Sequence, residues 1–120
     1  MREQASALLT VAAGGILGAL ARYGIAAAVP VQAAGFPWST FGVNVIGCLL
    51  IGMLMSLPAK GLRRLFLGTG VLGGFTTFSG FAVETERLLA GGHLLLTGLY
   101  VVGTLLAALA AVAMGARLAR

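Results

Sequence analysis

The chain has 120 residues, of which 59% are hydrophobic and only 9% are charged. Soluble domains carry roughly 25% charged residues, and a soluble fold of this length has too little interior to cover so much apolar surface. Composition therefore excludes a soluble domain and predicts a protein whose apolar surface faces a lipid bilayer.

Four apolar stretches are long enough to cross a bilayer as helices, which takes about 20 residues each. They cover residues 5–29, 37–57, 62–90 and 94–116. The short segments between them contain proline or glycine and leave no room for a soluble domain. The pattern predicts an all-α membrane protein of four transmembrane helices, with 1–120 as a single domain.

The first two predicted helices carry small and polar residues in their apolar stretches. Gly14 and Gly18 of helix one have the GxxxG spacing that lets membrane helices approach closely. Asn44 of helix two is more informative, because a side-chain amide in lipid costs free energy unless it is hydrogen-bonded. Asn44 therefore either bonds a neighbouring helix or lines a pathway, and both interpretations stay open.

Helix three is interrupted in the middle, where residues 73–81 read GGFTTFSGF. Two adjacent glycines and two adjacent threonines are poor helix formers. The flanking pieces, about 62–72 and 81–90, each span about half of the hydrocarbon core. We predict two half-helices that meet at a glycine break near the membrane midplane, with a simple kink as the alternative. Broken helices at this depth commonly hold ions.

Further polar and aromatic side chains lie at the break and on helix four. Phe78 and Phe81 are three residues apart, so both rings project from one face, and ring edges turned inward would favour an anion. Tyr100 and Thr104 are four apart and share a face of helix four. The hydroxyls at the break belong to Thr76, Thr77 and Ser79.

The chain contains few residues of the types that act in catalysis. The chain has no aspartate, one histidine, one cysteine and three glutamates, which are Glu3, Glu84 and Glu86. No nucleophile, base and orienting group can be assembled from this set, so we do not expect an enzyme. Nucleic acid is not an expected partner either, because the basic residues are not interleaved with exposed aromatic ones.

The basic residues are distributed unequally between the two sides of the membrane. With four spans, the N-terminus, the 58–64 segment and the C-terminus share one side. That side carries Arg2, Lys60, Arg63, Arg64, Arg117 and Arg120, whereas the other has Arg87 and at most Arg22. The positive-inside rule then predicts termini in the cytoplasm.

Three motifs give the chain a resemblance to the Fluc/CrcB fluoride channel family, over nearly its whole length. They are GGILGALARY over 14–23, FGVNVIG over 41–47, and GGFTTFSGF over 73–81 followed by Glu84. The third motif is specific. The resemblance implies a passive fluoride-selective channel in a bacterial or archaeal plasma membrane, which exports fluoride from the cytoplasm and reduces its toxicity.

Family membership would also imply an antiparallel, dual-topology dimer with two pores and a central structural sodium ion. By this resemblance, the backbone carbonyls of Gly73 and Thr76 would hold the sodium. Arg22 would lie near the aqueous vestibule. The ion pathway would be lined by Asn44, Phe78, Phe81, Tyr100 and Thr104, beside Thr77 and Ser79 at the break.

Some features depart from the family pattern. Ala108 stands where a hydroxyl would continue the polar track of helix four, and Gly80 stands where threonine is common. The unequal charge also conflicts with dual insertion, so a paralogous subunit is the alternative to a homodimer. Two other functions compete. A small multidrug-type exchanger needs an embedded carboxylate in helix one, which has none, and a structural membrane protein needs no broken helix.

Overall fold

The computed structural model describes residues 1–31 and 35–120 of the chain, and its regular elements there are all helical. They are α1 (Arg2–Ala28), α2 (Trp38–Ser56), α3 (residues 61–75), α4 (Phe78–Ala90) and α5 (Leu94–Leu118). By length and hydropathy α1, α2 and α5 can each cross a membrane, and α3 with α4 forms a fourth span, Gly61–Ala90. The predicted four-helix architecture is thus present.

Helix α1 packs against α3 at van der Waals distance through glycines. Gly14 and Gly18 are buried, and a Cβ on either would overlap backbone atoms of α3, at Phe66 or at Val71. From the opposite side, a Cβ on Gly70 would lie 3.0 Å from the Cα of Gly14. The GxxxG spacing of α1 is therefore used for contact within the chain.

Helix α3 contains an unusually wide central section. It starts as an α-helix over Gly61–Arg64, continues as a π-helix over Leu65–Leu72, and ends as an α-helical turn over Gly73–Phe75. The π-helix is rare and is frequently found at functional sites. Here it covers the section of α3 that faces the glycines of α1.

Helices α2 and α5 form the second close pair. Gly52 and Gly115 are buried, and each occupies a place where a Cβ would overlap a carbonyl oxygen of the other helix. Near the end of this contact the Ser56 hydroxyl donates to the Ala116 carbonyl at 3.1 Å. The outer surface is rich in exposed leucines, such as Leu17, Leu106 and Leu109, as expected for helices that face lipid.

The predicted interruption within residues 73–81 is confirmed, but the break lies beyond the glycine pair, so its placement at the glycines was wrong. Gly73 is helical, with φ −63° and ψ −38°. Thr76 (φ −79°, ψ 158°) and Thr77 (φ −147°, ψ 122°) are extended instead. Extended backbone suits β-branched residues, whereas Gly74 serves close packing, since a Cβ there would overlap the Gly15 carbonyl.

Candidate functional site

Asn44 joins α2 to the break through two hydrogen bonds. Its Nδ2 donates to the Thr77 carbonyl at 2.9 Å, and its Oδ1 accepts from the Thr77 N–H at 2.8 Å. The side-chain amide thus replaces the helical partners that Thr77 lacks. Extended backbone inside a membrane needs such partners, because no water is present to supply them. One N–H of the Asn44 amide is left for another acceptor.

Thr77 also caps the first turn of α4. Its Oγ1 accepts from the Gly80 N–H at 2.9 Å and lies 3.2 Å from the Ser79 Oγ. The N–H groups that begin a helix have no partner within it and carry a partial positive charge. The positive end of α4 therefore lies at the break, in the middle of the third span.

Arg22 supplies a hydrogen-bond donor to a carbonyl at the C-terminal end of α3, next to the break. Its Nε donates to the Gly74 carbonyl at 3.2 Å, a favourable place for a cation because the C-terminal end of a helix is partially negative. Arg22 lies in a small cleft of about 90 Å³ with Ser39, Thr40 and Thr77. This cleft is separate from the main groove described below.

Other carbonyls near the break keep free acceptor capacity. Within the described part of the chain, the carbonyls of Gly73 and Thr76 accept no backbone hydrogen bond from the residues that follow the break. The Thr76 hydroxyl does not compete for them, since it donates to the Leu72 carbonyl at 2.9 Å. Gly73 and Thr76 also line an open groove of about 420 Å³ between α2 and α3.

The main groove has a volume of about 320 Å³ and lies between α2, the break and α5. It brings together Asn44, Thr76, Thr77, Phe78, Phe81 and Thr104, all singled out from the sequence. The remaining lining residues are Gly47, Cys48, Ile51, Leu105 and Ala108. None of the side chains that line it is charged, and the polar ones are an amide, hydroxyls and a thiol.

The two phenylalanines of α4 form the lip of the groove. Phe78 is 81% exposed, whereas Phe81 is half-buried, and their ring centroids are 6.0 Å apart. Behind Phe81 lies Tyr100, at 5.2 Å between centroids and an interplanar angle of 35°. Tyr100 is fully buried and does not line the groove itself.

Two hydroxyls on α5 are buried without a partner. Neither the Tyr100 hydroxyl nor the Thr104 Oγ1 makes a hydrogen bond to any described residue. An unpaired buried hydroxyl costs about 1–3 kcal/mol, so such a group needs a partner, and a water molecule or an ion can supply one. Ala108 lies at the next turn along the groove and offers no hydroxyl.

The structure places six of the predicted site residues together in the main groove but leaves four outside its lining, and of these Gly73 lines the groove between α2 and α3. Arg22 lines the separate small cleft, which it shares with Thr77. Ser79 is exposed beside Thr77, and Tyr100 contacts Phe81 from behind the groove. Sequence reasoning missed Cys48 as a lining residue. Its spacing of four from Asn44 on α2 would have indicated the shared face.

A discontinuous membrane helix beside an uncharged groove lined by amide, hydroxyl and aromatic groups defines a multi-pass membrane protein of the ion-transport class. The described residues hold no cluster of metal-binding side chains either. Residues 9–116 match the family model described as CrcB-like protein, Camphor Resistance (CrcB). The chain belongs to the CrcB family.

Relatives of the chain carry a consistent description. It is 52% identical to "Fluoride-specific ion channel FluC 1" of Streptomyces coelicolor, over 99% of this chain and 80% of the relative. It is 47% identical to "Fluoride-specific ion channel FluC" of Prosthecochloris aestuarii, over 100% and 98% of the two chains. The protein of the same name from Thermus thermophilus is 49% identical, over 92% of each chain.

Proposed function

We propose that the protein is a fluoride-selective ion channel, not an enzyme, which lets fluoride leave the cytoplasm passively through the plasma membrane. The observation that carries the proposal is the main groove, where Asn44 and Thr104 offer hydrogen-bond donors that no described residue uses. The relatives named as fluoride-specific channels support this interpretation, because they align with nearly the whole chain.

Fluoride is small and strongly hydrated, so a pathway must replace its water with other donors. The remaining N–H of Asn44 and the hydroxyl of Thr104 can donate directly. The ring edges of Phe78 and Phe81 add weak positive character, and the positive end of α4 lies beside them. Each contribution is modest, and together they favour an anion over a cation.

Weak binding also allows fast passage. Conduction requires sites that an ion can enter and leave. The guanidinium of Arg22 is bound to the Gly74 carbonyl, outside the groove, so no lining side chain carries the full positive charge that would trap fluoride. Arg22 can still raise the anion concentration near Thr77 through its long-range field.

A sodium ion at the break is part of this proposal. Carbonyl oxygens suit hard cations, which need no carboxylate when enough carbonyls converge. The unused carbonyls of Gly73 and Thr76 fit this donor set. The bound cation would fix the extended backbone at Thr76 and Thr77, and no step of fluoride passage needs to go through it.

The proposed assembly is an antiparallel dimer of two identical chains. A phenylalanine as exposed as Phe78, at 81%, and a main groove open on one side are features that a second copy would complete. Two copies would contribute carbonyl pairs from both breaks to one central cation. A paralogous subunit would serve the same geometry if this chain inserts in one orientation only.

Fluoride efflux from liposomes tests the function. Vesicles that contain the purified protein and potassium fluoride are diluted into fluoride-free buffer with valinomycin, and a fluoride electrode records release. We expect fast release from fluoride-loaded vesicles and little from chloride-loaded ones, with a chloride electrode as readout. Empty-vesicle rates from protein that is folded and dimeric would refute the proposal.

A matched pair of variants connects the flux to the groove. Phe78→Ile removes a lip ring that is largely exposed and should lower the flux about tenfold, because the ring-edge interaction with the anion is lost. Phe66→Ile makes the same exchange on α3, away from the main groove, and should keep the wild-type rate. Equal rates in both variants would exclude Phe78 from the pathway.

A further inference from the structure

A chain of aromatic rings extends from the beginning of α2 to the lip of the main groove. Phe36 lies two residues before the start of α2, and its ring centroid is 4.4 Å from that of Trp38 and 5.5 Å from that of Phe41. Phe36 also contacts Tyr100, at 5.4 Å between ring centroids and almost perpendicular at 84°. Tyr100 in turn contacts Phe81, the half-buried ring of the groove.

In this arrangement Tyr100 contacts two rings, those of Phe36 and Phe81. Tyr100 is fully buried, and its hydroxyl has no hydrogen bond within the described residues to fix its position. The orientation of its ring is therefore set by packing, in which the rings of Phe36 and Phe81 both contact it. Edge-to-face and tilted aromatic pairs have preferred geometries, so a change at Phe36 reaches Phe81 through the Tyr100 ring.

The segment that carries Phe36 is itself fixed to α4. The Arg87 Nη2 donates to the Gly35 carbonyl at 3.1 Å, and the Arg87 guanidinium also pairs with Glu84 at 2.8 Å. Pro37, the next residue after Phe36, is fully buried. The segment is thus attached to the same helix that presents Phe81, and the aromatic chain connects it to that helix a second time, through Tyr100.

We infer that Phe36 is a positioning residue for the ion pathway: it holds Tyr100, and Tyr100 holds the Phe81 ring at the groove. The inference rests on the proposed function only where Phe81 is taken to line the fluoride pathway. The effect of Phe36 on the order of the Phe81 ring follows from the packing alone. These two parts are measured separately.

The ring at position 81 can be observed directly by ¹⁹F NMR. Phe81 is replaced by 4-fluorophenylalanine through a recoded stop codon, and spectra are recorded in fluoride-free detergent solution. In Phe36→Leu we expect a shifted or broadened resonance, because Tyr100 loses its ring partner. Phe36→Tyr keeps the ring and should keep the resonance. Phe66→Leu makes the same exchange at a ring with no aromatic partner among the described residues, and should also leave it unchanged.

Fluoride efflux from liposomes, measured with unlabelled protein, completes the test. Phe36→Leu should lower the rate roughly two- to tenfold, the size expected from one aromatic pair, whereas Phe36→Tyr should restore it. An unchanged resonance at position 81 in Phe36→Leu would overturn the inference, whatever the flux. Absence of flux in the wild type would instead refute the proposed function, and the resonance would still decide whether Phe36 orders Phe81. If Phe36→Leu does not fold, Phe36→Met tests the same loss with a flexible side chain.

Discussion

Replacement of Asn44 by alanine should damage both the break and the pathway. The substitution removes two hydrogen bonds of 2.8 Å and 2.9 Å at once and leaves the N–H and carbonyl of Thr77 without partners. Each unpaired buried backbone group costs about 1–3 kcal/mol. The main groove gives water some access to these two groups, which lowers the cost of leaving them unpaired. We therefore expect the free energy of unfolding to fall by about 2–4 kcal/mol.

Two measurements separate the structural effect from the functional one. The melting temperature of the purified variant in detergent should be lower than that of the wild type by on the order of 10 °C, given the usual relation between free energy and melting temperature. Hydrogen exchange of the peptide 76–81 should become faster in Asn44→Ala, because the Thr77 N–H loses its acceptor. Fluoride efflux from liposomes should fall as well, since the variant has no amide in the groove.

A conservative variant at position 44 and a control elsewhere on α2 test whether the two hydrogen bonds of Asn44 support the break. Asn44→Asp keeps an acceptor for the Thr77 N–H but faces the Thr77 carbonyl with a second oxygen, so its melting temperature should also fall. Ser56→Ala removes the bond to Ala116 elsewhere on α2 and should leave both exchange at 76–81 and flux unchanged. Wild-type melting and wild-type exchange in Asn44→Ala would show that the two hydrogen bonds do not support the break.

Three further predictions follow from the packing, the charge distribution and the free carbonyls. Gly74→Ala should destabilise the protein by about 1–3 kcal/mol, because the new Cβ overlaps the Gly15 carbonyl. Gly73→Ala is the matched control, because a Cβ there would be 3.8 Å from its nearest neighbour. This control variant should melt at or above the wild-type temperature. Thiol labelling of intact cells, with one cysteine appended after Arg120 in a Cys48→Ala background, should occur from both sides of the membrane; cytoplasmic labelling alone, with no flux from the single chain, would favour a paralogous partner. Exhaustive replacement of sodium by N-methylglucamine should lower the melting temperature of the dimer, and an unchanged value would speak against the central cation.

The membrane class and the four spans could be predicted from the sequence because they depend on local quantities. Hydropathy summed over about 20 residues decides whether a segment partitions into lipid, and no distant contact is needed. An interruption of helix three within residues 73–81 could also be predicted, since this stretch contains two adjacent glycines and two adjacent threonines, which are poor helix formers. The groove residues of α4 followed from helical spacing, which places Phe78 and Phe81 on one face.

The tertiary structure decided where helix three breaks and what each glycine does. The sequence favoured the Gly73-Gly74 pair, because glycine is a poor helix former, yet both residues stay helical and the extended pair is Thr76-Thr77. The reason is a partner 33 residues away in sequence, because Asn44 hydrogen-bonds both backbone groups of Thr77. Intrinsic propensities of about 1 kcal/mol or less do not outweigh two such bonds in an apolar surrounding.

The aromatic chain is a second feature that the sequence pattern could not predict. Nothing in the local pattern around Phe36 relates it to Tyr100 or to Phe81, which come from two other segments of the chain. Their contact depends on where α2, α4 and α5 lie relative to one another, and helix positions in a membrane are set by close van der Waals packing. A one-dimensional pattern therefore determines which segments enter the membrane, whereas the three-dimensional packing determines which side chains meet at the site.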